Sequence, residues 1–264
     1  MHKGESQSLP DYKKPPVIEV VCGIAFETIG SFKAHHLGLF WQKVRDKFPV
    51  CEHAPRLGVA LESLDLANYL PRVWFISEEQ NMLIQLQDDR FLFNWRRMQQ
   101  EEAYPRYSTI IEAFKTNLGI FQGFLEEEKL GSVNPKKCEF TYINHIPKGE
   151  GWESLSDINA VFRDFAWDSN ERFLPAPLSL GGQVVFPLPK DKGRLNITLQ
   201  HGERKLDKCP VLILQISARG LGGDKSMDRV WEWFGVAHEW IVCGFADLTG
   251  TTIQKDVWQR IDAT

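Results

Sequence analysis

The sequence lacks the features that mark several specialised classes of protein. Its longest apolar stretches, such as Val20–Phe26 and Val211–Leu214, fall far short of the roughly 20 residues that a membrane-spanning helix needs. It also lacks an excess of either charge, because 31 Lys and Arg stand against 35 Asp and Glu and give a net charge of -4. Proteins that coat nucleic acid carry a strong basic excess. The sequence therefore argues against a membrane or a nucleic acid as the partner.

Paired cysteines and a signal segment are absent as well. The five cysteines are widely spaced and form no Cys-x-x-Cys pair, which excludes a disulfide framework and a zinc ribbon. Such cysteines are typical of reduced, buried thiols. Residues 1–14 form a polar lead without the apolar run of a secretory signal. We therefore expect a cytoplasmic protein.

The common catalytic motifs are missing. The chain has no Gly-x-Ser-x-Gly elbow, no phosphate loop ending in Gly-Lys-Ser/Thr, and no Ser-x-x-Lys. The pair His238-Glu239 opens a zinc-binding helix motif, but Val242 stands where the second histidine ligand belongs. No cofactor and no metal are predicted, and the sequence favours a protein without enzymatic activity.

Residues 15–135 form the first of two halves with the same predicted order of elements. A buried strand at Val17–Glu27 is followed by a helix over Ser31–Phe48, for which Ser31 is the expected N-cap. Three runs rich in β-formers, separated by short polar turns, then predict an antiparallel meander. These runs and the amphipathic helix that follows are Val73–Ile76, Met82–Gln87, Arg90–Trp95 and Tyr107–Lys129.

Residues 136–264 repeat this order. The predicted elements are a strand at Lys137–Ile146, a short helix at Ser156–Phe165 capped by Ser156, strands at Gln183–Phe186, Arg194–His201 and Val211–Ser217, and a closing helix at Ser226–Asp247. Each half is thus β-α-βββ-α. We predict an α+β fold in which a curved antiparallel sheet carries helices on one face, with a pseudo-repeat that makes it saddle-like or helix-grip-like. In the closing helix, apolar residues at helical spacing predict a buried stripe of Val230, Trp231, Phe234, Ile241 and Phe245.

Polar residues alternate with apolar ones along several strands. On Arg90–Trp95, for example, Arg90 and Asn94 point away from Phe91 and Phe93. One face of an antiparallel sheet can meet solvent or a partner while the other packs on helices. The residues predicted to bind a ligand or partner on this open face are Gln85, Gln87, Arg90, Asn94, Asn196, Thr198 and Gln200, joined by Asn144 and His145 at the end of the middle strand.

One glycine-rich loop, Arg219–Asp224, offers an alternative function. It lies between a strand and a helix, where free backbone N–H groups and a guanidinium can hold an anion. The candidate anion-binding residues are Arg219, Gly220, Gly222 and Gly223. On this interpretation the protein is an enzyme acting on a nucleotide or phosphate ester. The other interpretation is a flexible turn whose glycines adopt positive φ.

Four segments give the chain a resemblance to an uncharacterised, sporadically distributed bacterial family of about 260 residues. They are Pro15–Val20 with Phe26, Phe93–Trp95, Thr141–Ile146, and His238 with Phe245–Thr249. The resemblance implies the family's fold and a bacterial cytoplasmic origin, but no catalytic residues. A patchy distribution is typical of mobile or defence-associated genes. We therefore expect a binding protein whose partner is another protein encoded nearby.

Overall fold

The computed structural model describes residues 8–58, 70–166, 173–204 and 207–261. Residues 1–7 of the predicted lead lie outside the described residues. The fold is α+β, as predicted: a nine-stranded, mostly antiparallel sheet with helices, not closed into a barrel. A second sheet of two strands joins the described ends of the chain. None of the described helices has the length and apolar character needed to cross a membrane.

The elements follow the predicted order, with additions. The strands are β1 (Asp11–Tyr12), β2 (Val17–Phe26), β3 (Val50–Ala54), β4 (Arg72–Ile76), β5 (Met82–Gln87), β6 (Arg90–Arg96), β7 (Pro135–Pro147), β8 (Gly181–Pro187), β9 (Arg194–Glu203), β10 (Pro210–Gly220) and β11 (Arg260–Ile261). The helices are α1 (Ala34–Val44), α2 (Arg106–Glu127), α3 (Ile158–Val161), α4 (Met227–Leu248) and α5 (Thr251–Asp256). In the large sheet the strand order is β3-β4-β5-β6-β2-β7-β10-β9-β8.

The chain divides into two compact units. Unit I comprises Glu19–Phe140 and Arg219–Phe234, and unit II comprises Met1–Ile18, Thr141–Ala218 and Gly235–Thr264. The first predicted half therefore falls mainly in unit I, whereas the second half contributes to both units.

In unit I, helices pack on one face of the sheet through aromatic side chains. Phe91 of β6 stacks on Phe121 of α2, with ring centroids 5.5 Å apart, and Phe75 of β4 meets Phe40 of α1 at 5.7 Å. All four rings are fully buried. Edge-to-face and offset pairs of this kind are worth about 0.5–1.5 kcal/mol each beyond their burial.

In unit II, the apolar face of β9 is buried by the closing helix. Leu195, Ile197 and Leu199 alternate along the strand and are all buried. At Gly244 the helix comes so close that an added Cβ would lie 3.4 Å from Leu195 Cδ2. The small residue at this position thus lets α4 approach the sheet.

Local capping differs from the prediction at two helices. The Ser31 hydroxyl donates to the Leu130 carbonyl, so α1 begins later, and His36 Nδ1 accepts from the Lys33 backbone N–H instead. In unit II, Ser154 rather than Ser156 caps the short helical segment, because its Oγ accepts from the Ser156 N–H at 3.3 Å.

The prediction of buried cysteines holds only in part. Cys22 and Cys138 are fully buried, whereas Cys51 is exposed on β3. Strand β3 was not predicted, and it adds an outer strand to the first meander. The lead was predicted to be polar, yet Tyr12 within it is buried, pairs in β1 and meets the Phe245 ring at 5.5 Å.

Candidate functional site

The first group of predicted binding residues lies on one face of the unit I sheet. The register places Gln87 opposite Arg90 and Leu83 opposite Asn94, so Gln85, Gln87, Arg90 and Asn94 share the face turned away from the helices. That face is not open as predicted. Gln85, Gln87 and Asn94 are only 6%, 1% and 3% exposed, and Arg90 is half-buried.

These buried amides satisfy one another in a chain of hydrogen bonds across four strands. Arg72 Nη1 donates to Gln85 Oε1 at 2.8 Å, and Trp74 Nε1 donates to the same oxygen at 3.1 Å. Gln85 Nε2 donates to Asn94 Oδ1 at 2.7 Å, and Asn94 Nδ2 donates to Glu19 Oε1 at 2.6 Å. Since buried polar groups must be hydrogen-bonded, this chain explains why polar residues occupy an enclosed face.

The pKa values of the two charged groups at the ends of this chain of hydrogen bonds are shifted. Burial raises the pKa of Glu19, while the hydrogen bond from Asn94 and the charge of Arg96 oppose that rise. Burial also lowers the pKa of Arg72, and the neighbouring Arg90 guanidinium adds to the effect. The Arg72 guanidinium lies 5.4 Å from the centroid of the Trp74 ring. These partners lie within the fold. The chain of hydrogen bonds therefore stabilises the sheet and does not form a binding surface.

A short segment covers the other end of the same face. The Leu57 backbone N–H donates to Gln87 Oε1 at 2.8 Å, and Arg56 pairs with Asp88 at 2.5 Å. Gly58 adopts φ 80°, and an added Cβ there would lie 2.7 Å from Arg90 Nη2. Gln87 therefore contacts this segment instead of solvent, and Arg90 is partly covered by it.

Replacing Gln85 with leucine should destabilise the protein by about 1–3 kcal/mol, because it leaves the partly buried donors of Arg72 and Trp74, and the buried Asn94 Oδ1, without their partner. Urea unfolding followed by circular dichroism measures the change. Gln200→Leu is the matched control, since Gln200 is exposed on β9 and its loss should stay within about 0.5 kcal/mol. Equal free energies of unfolding for the two variants would show that these hydrogen bonds do not stabilise the fold.

The second group of predicted residues lies on a more open surface. Asn196, Thr198 and Gln200 alternate along β9 away from its buried leucines, and they range from half-buried to exposed. The register sets Thr198 opposite Gln183 and Asn196 opposite Val185 of β8. Asn196 Nδ2 donates weakly to the Ser217 carbonyl at 3.4 Å. We call the surface formed by Gln183, Val185, Asn196, Thr198 and Gln200 the polar face of unit II.

Asn144 and His145 do not act together. As neighbours on β7 they point to opposite faces of the strand. Asn144 is only 2% exposed, and its Nδ2 donates to the Leu214 carbonyl at 3.0 Å. The prediction that Asn144 joins an accessible surface is therefore wrong. His145 is half-buried, and burial together with the Arg204 charge lowers its pKa.

In the glycine-rich loop, the charged side chains already have partners. Arg219 Nη2 donates to Glu139 Oε1 at 2.9 Å. Asp224 Oδ1 accepts from the Ser226 N–H at 2.9 Å, which lowers the pKa of Asp224, and Asp224 also pairs with Arg229 at 3.2 Å. Gly222 adopts φ 96°, as expected for a glycine turn. The Asp224 carboxylate thus stands where an anion at the start of α4 would bind.

Two histidines of unit II, His201 and His238, contact aromatic rings. His201 packs edge-on against Trp152 at 6.0 Å, and burial lowers the pKa of His238 to about 4. Among the described residues, no three His, Cys, Asp or Glu side chains come together as a metal ion requires.

The most exposed apolar surface lies on β8 and the residues before it. From Phe173 to Pro187 the sequence contains no charged residue. Six large apolar side chains in this range are exposed, at 101%, 61%, 95%, 38%, 46% and 40%: Phe173, Leu174, Leu178, Val184, Val185 and Phe186. We call Phe173–Pro187 the β8 edge. Exposed large apolar side chains concentrated in one segment are candidates for an interaction site, and the uncharged run is the signal in the sequence that could have revealed this one.

Within the described parts of the chain, no strand pairs with the outer side of β8. His201 N–H donates to the Leu180 carbonyl and Leu188 N–H donates to the Gly193 carbonyl. Because hydrogen-bonded pairs alternate along an antiparallel ladder, the even-numbered residues of β8 bond to β9. The N–H and C=O groups of Gly181, Gln183 and Val185 therefore point outward, beyond the last strand of the sheet order.

The buried apolar layer between the sheet and α4 ends at β8. Val184 and Phe186 lie opposite Ile197 and Leu195, on the face that packs against α4. The β9 residues are 4% and 2% exposed, whereas Val184 and Phe186 are 38% and 40% exposed. The core of unit II is therefore open along its outer strand.

In comparisons with known proteins, the sequence matches no family model and no curated protein. The function must accordingly be argued from the residues themselves.

Proposed function

We propose that this is a non-enzymatic binding protein that docks another protein chain on the β8 edge. The observation that carries the proposal is the combination, on one strand, of exposed apolar side chains and outward N–H and C=O groups. Exposed edge strands are usually protected by charged residues or by covering elements. From Phe173 to Pro187 no charge provides that protection.

The docking mode that fits this surface is the addition of a strand. An extended segment of the partner would bond to Gly181, Gln183 and Val185, and main-chain bonds of this kind supply affinity in β-augmentation. Val184 and Phe186 would then be covered on one face of the sheet. On the other face, the partner would meet the polar face of unit II, where Thr198 and Gln200 can donate and accept hydrogen bonds.

The order of strands supports a pseudo-repeat in which the described residues supply one strand fewer to the second half. From β2 the order outward is β6, β5, β4, and from β7 it is β10, β9, β8. If the halves are equivalent, β8 corresponds to β4, which pairs antiparallel with the additional strand β3. No strand of the described residues occupies that position beside β8. A partner strand would complete the second half as β3 completes the first.

The resemblance to the bacterial family extends the proposal to a setting. The protein would act in the bacterial cytoplasm, with a partner encoded by a neighbouring gene of a mobile or defence-associated operon.

The test is co-expression of the full chain with each protein encoded by a neighbouring gene and with a second, differently tagged copy of itself. We expect one of these chains to co-purify with the wild type and to be lost from Gln183→Pro, which removes an outward N–H and leaves the ladder to β9 intact. Val50→Lys on β3 is the control, since Val50 is 42% exposed on the opposite outer strand. Retention of a partner by Gln183→Pro, or binding of no other protein and no second copy, would overturn the proposal.

A further inference from the structure

We infer that the chain docked on the β8 edge is a second copy of this protein, paired β8 to β8 antiparallel about a two-fold axis at Val184. The inference rests on the proposed function and names its partner. It follows from the hydrogen-bonding pattern of the strand, from the placement of its side chains, and from the absence of charge along it.

Backbone geometry selects the register. Only odd-numbered residues present free groups outward, so odd residues must pair with odd residues of the second copy. With Val184 opposite itself, Gln183 and Val185 of the two copies exchange both hydrogen bonds. Gly181 N–H then donates to the carbonyl of Pro187, and Pro187, which has no N–H, requires no acceptor. The whole strand pairs, and each outward N–H finds a partner.

The side chains are complementary in the same register. Phe186 lies opposite Gly182 of the second copy, and Gly182 lies opposite Phe186. Phe165 of the same copy already packs against Gly182, where an added Cβ would lie 3.5 Å from Phe165 Cε1. In this register Phe186 of the second copy would extend that aromatic layer across the new strand pair. Phe186 and Gly182 lie on the face that carries buried Leu195 and Leu199, so the pairing extends the open core of unit II.

The absence of charge also favours a second copy. A strand without charged residues offers no ion-pair partner, so it pairs best with a strand that is also uncharged. The β8 edge is itself such a strand. In a two-fold interface each copy contributes the same surface, so complementarity must be to itself.

Sedimentation velocity on the full chain at tens of micromolar tests the assembly. We expect a dimer for the wild type and for the control Val50→Lys. We expect at least tenfold weaker dimerisation for Gln183→Pro and for Val185→Lys, which places two like charges near the axis. Thermal melts show whether each variant folds. If Gln183→Pro does not fold, Val185→Lys alone tests the interface.

Disulfide trapping tests the register. In a Cys51→Ser background, Val184→Cys brings two sulfurs together across the axis, because non-hydrogen-bonded pairs have Cα atoms about 4.5 Å apart, within the range for a disulfide. We expect oxidation to give a covalent dimer with Val184→Cys. We expect none with Gln183→Cys, whose opposite residue is Val185.

The outcomes separate this inference from the proposed function. A monomeric wild type that binds a neighbouring gene product through the β8 edge would overturn the second copy and retain the proposed function. A dimer that is unaffected by Gln183→Pro and Val185→Lys, and that Val184→Cys does not trap, would overturn the inference. If in that case no other protein binds the β8 edge, the proposed function fails too.

Discussion

Replacing Phe234 with alanine is expected to lower the free energy of unfolding by about 3–5 kcal/mol, since truncating a buried aromatic side chain removes its burial and leaves a cavity. Phe234 is fully buried on α4, with ring centroids 5.3 Å from Phe114 and 5.7 Å from Phe140. Whole domains are stable by only about 5–15 kcal/mol. The variant should therefore unfold at much lower urea concentration or accumulate as insoluble protein.

Trp231→Ala is the matched comparison on the same helix. The sequence pattern assigned Trp231 to the same buried stripe, but its ring is half-exposed and lies under the Lys115 ammonium at 5.5 Å. Its truncation should cost less, about 1–2 kcal/mol. An equal loss in both variants, measured by urea unfolding, would show that burial does not separate the two residues.

The helices and strands were predictable because their signals are local. Met82–Gln87 was predicted with its observed bounds, since a β-rich run ends at the Asp88-Asp89 turn. The long helices α2 and α4 differ from prediction by one or two residues at their ends, because apolar residues repeat at helical spacing over many turns. β3 was missed because Val50–Ala54 carries exposed and charged residues, and its pairing with β4 depends on the sheet.

The burial of polar residues could not be predicted from the same patterns. Alternation placed Gln85 and Asn94 correctly on one face, but it equated polar residues with solvent. Whether an amide can be buried depends on partners elsewhere in the sequence, such as Glu19 for Asn94 and Arg72 for Gln85. Periodicity identifies the face of a strand but not what covers it. The same limit applies to Asn144, whose acceptor is a carbonyl of β10.

At the β8 edge, apolar residues are exposed where the sequence pattern alone does not predict exposure. The absence of charge from Phe173 to Pro187 is visible in the sequence. By itself, however, it is equally typical of a buried central strand. Only the strand order, with β8 last in the sheet, turns an uncharged run into an exposed surface. The functional proposal thus depends on topology more than on any motif.

The stability of the protein is expected to fall by about 3 kcal/mol, through His238 alone, as the pH decreases from near 6.5 to near 4. Burial lowers the pKa of His238 in the folded protein to about 4, from an ordinary value of 6.5. Between these values the unfolded chain binds a proton that the folded protein does not, so stability rises with pH in this window and is lost as the pH falls. Each pKa unit corresponds to about 1.4 kcal/mol.

His238 is the residue that should dominate this dependence among the histidines. Burial also lowers the pKa of His36 and of His145, and these residues add in the same direction. Urea unfolding of the wild type and of His238→Gln at pH 7.5, 6 and 4.5 isolates the contribution, because the difference in slope between the two proteins belongs to His238. His53→Gln removes an exposed histidine of β3 and is the control for the loss of a histidine as such. Parallel profiles for the wild type and His238→Gln would mean that the imidazole is accessible to protons in the folded state, and that the interior of unit II around α4 is hydrated.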